Sequence, residues 1–546
     1  MAERRRGSNG GIAYQHPVAF WLGTTVVTVG VLLHLPMYFG AADMNYRLAG
    51  MPADLPMTIG MVLIVIGIAT TVYGLFPRRS KMTRGPLSRI RVRALDDAPI
   101  RPAHVALLVV MAAAITIDVM KPTTLAFVAP GAAQEYGLKS PLTPDASGLP
   151  VALYALAGIS GTAIGSFLWG WFGDLIGRRA SILLSAVLFI ATAVCGAMPD
   201  FLWNISTCFV MGLGVGGMLP IVFALMAETI PARHRGWLMV LIGGDVAGAY
   251  IITSWLASTI GAPDAFGWRM LWLVGLPTGV ILIVLNRWIP ESPRFLLQHG
   301  RGEEAAAIMK RYGAAVVEGE VSELGIEKNV QNRWSQLFAT PFVGLSLAVI
   351  LLGLGIGMVQ YGFQQWIPSN LQRLGFAEVD ASRILRDSAL IGFPLNFLIA
   401  WAYGFWSARK TIILMAASTA AALFGFVAAG DAVVSNRPLL YVLLIVPIWG
   451  ISSLTALVAA YAAEVYPTRI RSRGTGLAAG ATKFGGVMIL ATVSAAIAAP
   501  SISITALIGA VPVALAVLAV LVFGVETRQR RLEQITADEL GEEVPV

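Results

Sequence analysis

The chain has 546 residues, of which 56% are hydrophobic and 13% charged, and a mean hydropathy of +0.72. No soluble domain needs so much apolar surface to build its core, so the composition excludes soluble enzymes and nucleic-acid-binding proteins and points to an integral membrane protein. The net charge of +8 needs no basic partner surface, because its Lys and Arg residues concentrate in alternate loops.

A helical span needs about 20 mostly apolar residues to cross the hydrocarbon of a bilayer. Fourteen such runs are predicted, near 17–39, 56–77, 103–130, 149–172, 181–198, 202–226, 237–260, 269–289, 341–366, 384–406, 411–429, 438–461, 474–498 and 502–523. The first lacks an A-x-A cleavage pattern and is followed by a second span, so it is expected to be a retained helix. Basic residues mark every second connection: Arg4–Arg6, the 78–101 segment, Arg178 and Arg179, Arg233 and Arg235, the 290–337 loop, Arg409 and Lys410, Arg469 to Arg473, and the tail from Arg528. Positive loops stay inside, so both termini are expected in the cytoplasm and the chain in the plasma (inner) membrane, with lipid as a partner. The stretch "EEAAAIMKRYG" (303–313) reads as a short amphipathic surface helix, and the tail beyond 526 as a helix followed by disorder.

The third run, "AAAITIDVMKPTTLAFVAP", is interrupted by Asp118 and Lys121. Each costs about 2.5–3.5 kcal/mol at the centre of a lone span, so each must face a polar cavity or the other. The spacing i, i+3 puts them on one helix face. Two readings follow, a substrate and proton site or a self-neutralising structural pair. Further polar residues interrupt later spans: Asp245 in "GGDVAG", Gln360, Tyr361, Gln364, Gln365 and Trp366 in the ninth, Asn396 in the tenth and Lys483 in "GATKFGG". Each either touches substrate or satisfies an interhelical hydrogen bond, and Asp245 is the second candidate for carrying a proton.

Enzyme motifs are not found. "GLGVGG" (212–217) matches Gly-x-Gly-x-x-Gly but lies within a span with no strand before it, which reads as helix packing. There is no Walker A sequence, so transport driven by ATP is not expected. Cys195 and Cys208 read as small buried hydrophobes, and the five histidines lack ligand spacing, so neither metal nor cofactor is expected.

The chain repeats itself. "AETIPARHRG" (227–236) recurs as "AEVYPTRIRSRG" (463–474), aligning Glu228, Pro231, Arg233 and Arg235 with Glu464, Pro467, Arg469 and Arg471; "GDLIGRRA" (173–180) is echoed weakly by "WSARKT" (406–411). Two halves of six spans with two helices in front is the simplest parse. At "GWFGDLIGRR" (170–179), "PESPRFLL" (290–297) and the duplicated Glu-x-x-Pro element, the chain resembles the major facilitator superfamily, in its sugar-porter and organic-ion branches. The resemblance implies an all-α polytopic membrane protein: two six-helix bundles of major facilitator type plus two additional N-terminal helices.

The expected divisions are 1–101 for the extra helices and linker, 102–289 and 341–525 for the bundles, 290–340 for the loop between them and 526–546 for the tail. Gly170, Asp174, Arg178, Arg179, Glu228, Arg235, Glu464 and Arg471 are the expected cytoplasmic gate, asymmetric because Ser407 stands where the second half should carry an acid. Asp118 followed by Pro130 is similar to the first helix of aromatic-acid/proton symporters, with Lys121 where that pattern has a second Asp. The implied function is proton-coupled symport of a small organic anion, with sugar uptake, efflux of drugs or organic cations, and a non-transporting receptor as alternatives.

Overall fold

The computed structural model describes residues 16–76, 90–139, 148–244, 246–262, 265–317, 326–364, 367, 371, 388, 391–392, 394–430, 433, 436–495 and 501–542. They are almost wholly helical. The main helices are α1 (Pro17–Leu32), α2 (Leu55–Leu75), α3 (Pro102–Glu135), α4 (Ala152–Ile176), α5 (Arg178–Ala191), α6 (Phe201–Thr229), α7 (Ala232–Gly243), α8 (Val246–Thr259), α9 (Gly275–Leu285), α10 (Pro293–Gln298), α11 (Gly302–Arg311), α12 (Val343–Met358), α13 (Ala408–Ala429), α14 (Arg437–Val465), α15 (Arg471–Ala495), α16 (Ile502–Phe523) and α17 (Leu532–Leu540).

Polar side chains start several of these helices, as backbone N–H groups at the end of a helix require. Asp54 accepts from Met57 N (2.7 Å), Asp200 from Leu202 N (2.8 Å), Ser407 from Lys410 N (3.1 Å) and Asn436 from Leu439 N (3.2 Å).

Among the described residues, eleven helical segments are long and apolar enough to cross a membrane, and they coincide with eleven of the fourteen expected runs. The other three differ for separate reasons. The run 237–260 divides into α7 and α8 on either side of Asp245, which lies outside the described residues, and part of 384–406 lies outside them too. The run 474–498 is helical as α15, but Gly, Thr, Ser and Lys483 dilute its apolar character; a helix largely packed between two others needs less of it than one facing lipid.

Helices α1 and α2 pair with each other and rest on α5. Their far ends are tied to the first bundle by Glu135, which accepts from Leu48 N (2.7 Å) and Ala49 N (3.0 Å) and pairs with Arg269 (2.7 Å). The "GLGVGG" stretch lies inside α6, where Gly212 and Gly216 bring its backbone onto the carbonyls of Gly158 and Thr162 on α4. A side chain at either glycine would hold the two helices apart. The expected surface helix at 303–313 is α11, and the tail helix is α17. The two bundles meet chiefly where α4 packs on α15 and α7 on α14.

Candidate functional site

Asp118 and Lys121 are both buried in α3, 5% exposed each, yet they form no ion pair with one another. The structural pair that their spacing allows is therefore not made. Lys121 turns back into the first bundle, where its ammonium packs on Gly275 of α9. Asp118 makes no ion pair with Lys483 of α15 either, although the two lie within electrostatic reach of one another across the bundle interface. Asp118 Oδ1 and Lys121 Nζ have no hydrogen-bond partner among the described residues.

Lys483 is half-buried and donates to the Tyr361 hydroxyl (3.1 Å), its ammonium 5.6 Å from the centre of that ring. Tyr361 lies on a wide π-helical turn, Val359–Gln364, that continues α12. In a π-helical turn residues four apart stay on much the same face, so Gln360 and Gln364 remain neighbours there. Gln364 donates to Ile448 O (3.4 Å), while the buried Gln360 Oε1 has no partner. Asn396 accepts from Ser453 (2.8 Å) and lies beside Gly244. Gln365, Trp366 and Asp245 fall outside the described residues. Lys483 and Tyr361 of the second half thus touch one another, and Asp118 of the first half lies within electrostatic reach of Lys483.

At the basic end of the bundles the expected gate residues meet in two networks. Asp174 pairs with Arg178 (3.3 Å) and Arg473 (3.0 Å) and accepts from Ser472 N and Arg473 N (both 3.1 Å), so it binds the N-terminus of α15 in the other half. Gly170 allows this approach, because α4 meets the Ser472 carbonyl there. Glu228 holds Arg178 and Arg471, one from each half, at 2.8 Å. Arg179 turns aside to Asn286 Oδ1 (2.7 Å) and to Asn286 O (2.9 Å). In the second network Arg235 pairs with Glu464 (3.3 Å), which also accepts from Tyr403 (2.8 Å) and Thr527 (2.7 Å). Ser407 makes no contact of the Asp174 kind: it bonds Glu526, which also receives Ala408 N (2.9 Å), and so stays within its own half.

Several members of these networks were not foreseen. Glu291 accepts from Arg178 N (2.8 Å) at the start of α5. Arg294 joins Glu533 of α17 (2.7 Å) and Asp96 (2.6 Å), and Asp96 also joins Arg235 (3.1 Å). Burial pushes the Asp96 carboxyl up and outweighs the pull of Arg294 and Arg235. Burial acts on Glu533 in the same sense, but the charge and hydrogen bond of Arg294 prevail and hold it down at about 2. The "PESPR" stretch marks Glu291 and Arg294 in the sequence; nothing local marks Asp96 or Glu533.

Comparison with known proteins agrees with this geometry. The chain is 27% identical over 453 residues to the niacin transporter NiaP of Acinetobacter baylyi, covering 81% of this chain and 99% of that one. It is 26% identical over 413 residues to the 4-hydroxybenzoate transporter PcaK of the same organism, covering 72% and 85%. In fold it is similar to the major facilitator proton:xylose symporter XylE of E. coli, with a TM-score of 0.68 at 18% identity over 80% of this chain and 99% of that one. Residues 127–538, most of the chain and both halves of the gate, match the family described as "Sugar (and other) transporter". The chain is therefore a major facilitator transporter, not an enzyme, and it belongs to that family.

Proposed function

We propose that the protein imports a small organic carboxylate, aromatic in its preferred form, together with a proton, by alternating access through a site between the two halves. The observation that carries this reading is the Lys483–Tyr361 hydrogen bond in the second half together with the enclosed Asp118 carboxylate of the first half, whose Oδ1 has no partner among the described residues and which lies within electrostatic reach of Lys483. Empty, the site balances one carboxylate against one ammonium. A substrate carboxylate entering alone adds a negative charge in a medium where an uncompensated charge costs several kcal/mol. A proton on Asp118 cancels that charge and leaves Lys483 to the substrate. Loaded and empty sites then carry the same charge, and the half-loaded one does not, which couples substrate to proton one for one.

The named relatives lend support, since niacin and 4-hydroxybenzoate are both aromatic monocarboxylates. On this reading the gate networks, lying among the basic loops, are cytoplasmic, and α1 and α2 are two helices added to a transport core of twelve. Lys121 stays in the proposed set as a second buried cation, within the first bundle. Asn396 stays in the proposed set, and Asp245 and Gln365 lie outside the described residues. Sugar uptake is the second reading, favoured by the family's description and by the unpartnered Gln360 Oε1, which suits a hydroxyl donor.

The test is uptake into proteoliposomes with an imposed proton gradient, using labelled nicotinate, 4-hydroxybenzoate and xylose. Gradient-driven accumulation of the carboxylates is expected. Asp118→Asn should abolish accumulation but keep exchange, and Lys483→Gln should abolish both. Accumulation that persists in Asp118→Asn, or that extends only to xylose, defeats the reading.

A further inference from the structure

Asp96 lies ahead of the family-matched region, on the single turn Arg93–Asp96 that closes the linker from α2 to α3. It is fully enclosed, with one carboxylate oxygen 3.1 Å from Arg235 and the other 2.6 Å from Arg294. Its surroundings hold it firmly: Val92 and Leu95 are buried and Arg91 N donates to Val317 O (2.8 Å) in the loop between the bundles.

Which half each partner belongs to decides what Asp96 can do. Arg235 lies on α7 of the first half, and Arg294 donates to Glu228 O (2.8 Å) of α6, so both guanidinia stay with the first half. Their other acids belong to the second half: Glu464 on α14, and Glu533 on α17, which packs on α14. Arg235 also donates to Arg530 O (2.6 Å) in the tail. Neighbouring Glu228 is occupied by Arg178 and Arg471, and Arg531 by Asp97 (2.8 Å). With the gate closed, three carboxylates therefore share two guanidinia. If the halves part there, Glu464 and Glu533 leave with the second half and Asp96 stays.

We propose that Asp96 is a counter-latch: it competes with Glu464 and Glu533 for Arg235 and Arg294, weakens the closed gate and neutralises the arginines once the gate opens. In the closed state it takes a share of both guanidinia, so each tie from Arg235 to Glu464 and from Arg294 to Glu533 is weaker than it would be alone. In the open state it removes part of the penalty of two guanidinia left without acids. Both effects favour opening, so the segment ahead of the transport core sets how readily the core turns over. The inference rests on alternating access through this gate, but not on the identity of the substrate.

The sign of the effect is the test. A buried acid that merely holds the fold would loosen the gate when neutralised; a counter-latch tightens it. Spin labels at Arg233→Cys, on the first half, and Lys410→Cys, on the second, report gate opening as the long-distance population measured by pulsed electron paramagnetic resonance on the full chain in nanodiscs. Asp96→Asn is expected to reduce that population at least threefold, and Glu533→Gln to raise it. Thermal unfolding of each variant shows whether it is folded, and Asp96→Ser is the alternative neutral variant. An open population unchanged or increased in the neutral variants, or failure of both to fold, would overturn the proposal. Because this readout needs no substrate, it is independent of whether the carboxylate reading holds.

Discussion

Lys121 shows how a residue can be conspicuous in the sequence while its role is not. The i, i+3 spacing from Asp118 marked both as charges in an apolar span, and that much was legible. The direction each side chain takes was not, because it depends on Gly275 leaving room for the ammonium and on Lys483 arriving from the other half. A charged residue at mid-span that gains nothing from a partner is a stability cost of about 2.5–3.5 kcal/mol, retained for function. Lys121→Met keeps the length of the stem and removes the charge, so its melting temperature in detergent should rise by several degrees while carboxylate uptake falls at least tenfold. A fall in melting temperature would mean that the ammonium holds the bundle together, and Lys121 would leave the candidate site.

At the scale of elements, the long apolar runs and the duplicated loop motifs were readable because they depend on local composition. The π-helical turn at Val359–Gln364 was not, and it re-aims Tyr361 and the neighbouring amides. Nor could the tail helix α17 be assigned a partner, since the Arg294 that holds Glu533 lies far back in the chain. That contact carries its own pH signature. Glu533 titrates lower in the folded protein than the usual 4.5, so its stabilising contribution is complete above about 4.5 and is lost as the pH falls toward 2. The melting temperature of Glu533→Gln should therefore lie below that of the unaltered protein by a constant amount from pH 8 to about pH 5, and the gap should close under more acidic conditions. A gap that widens on acidification would contradict the assignment.

On the scale of the whole molecule, the repeated sequence element acquires a mechanical meaning that neither copy has alone. The matched arginines Arg235 and Arg471 each cross to the other half and reach the matched glutamates Glu464 and Glu228, so the repeat builds two reciprocal ties across the gate. The ties are unequal. Glu228 holds two guanidinia, Arg178 and Arg471, and its loss leaves Arg471 without an acid within ion-pair distance. Loss of Glu464 leaves Arg235 still held by Asp96. Removing one partner of an enclosed ion pair costs on the order of 3–5 kcal/mol while the gate stays shut, and opening relieves that cost by letting water reach the stranded charge. Since 1.4 kcal/mol is about a tenfold change, Glu228→Gln should move the closed-to-open equilibrium by about 100-fold or more, and Glu464→Gln by distinctly less. The Arg233→Cys and Lys410→Cys labels read this directly. If the two glutamate variants open the gate equally, the inequality of the ties is wrong and Asp96 does not cushion Arg235.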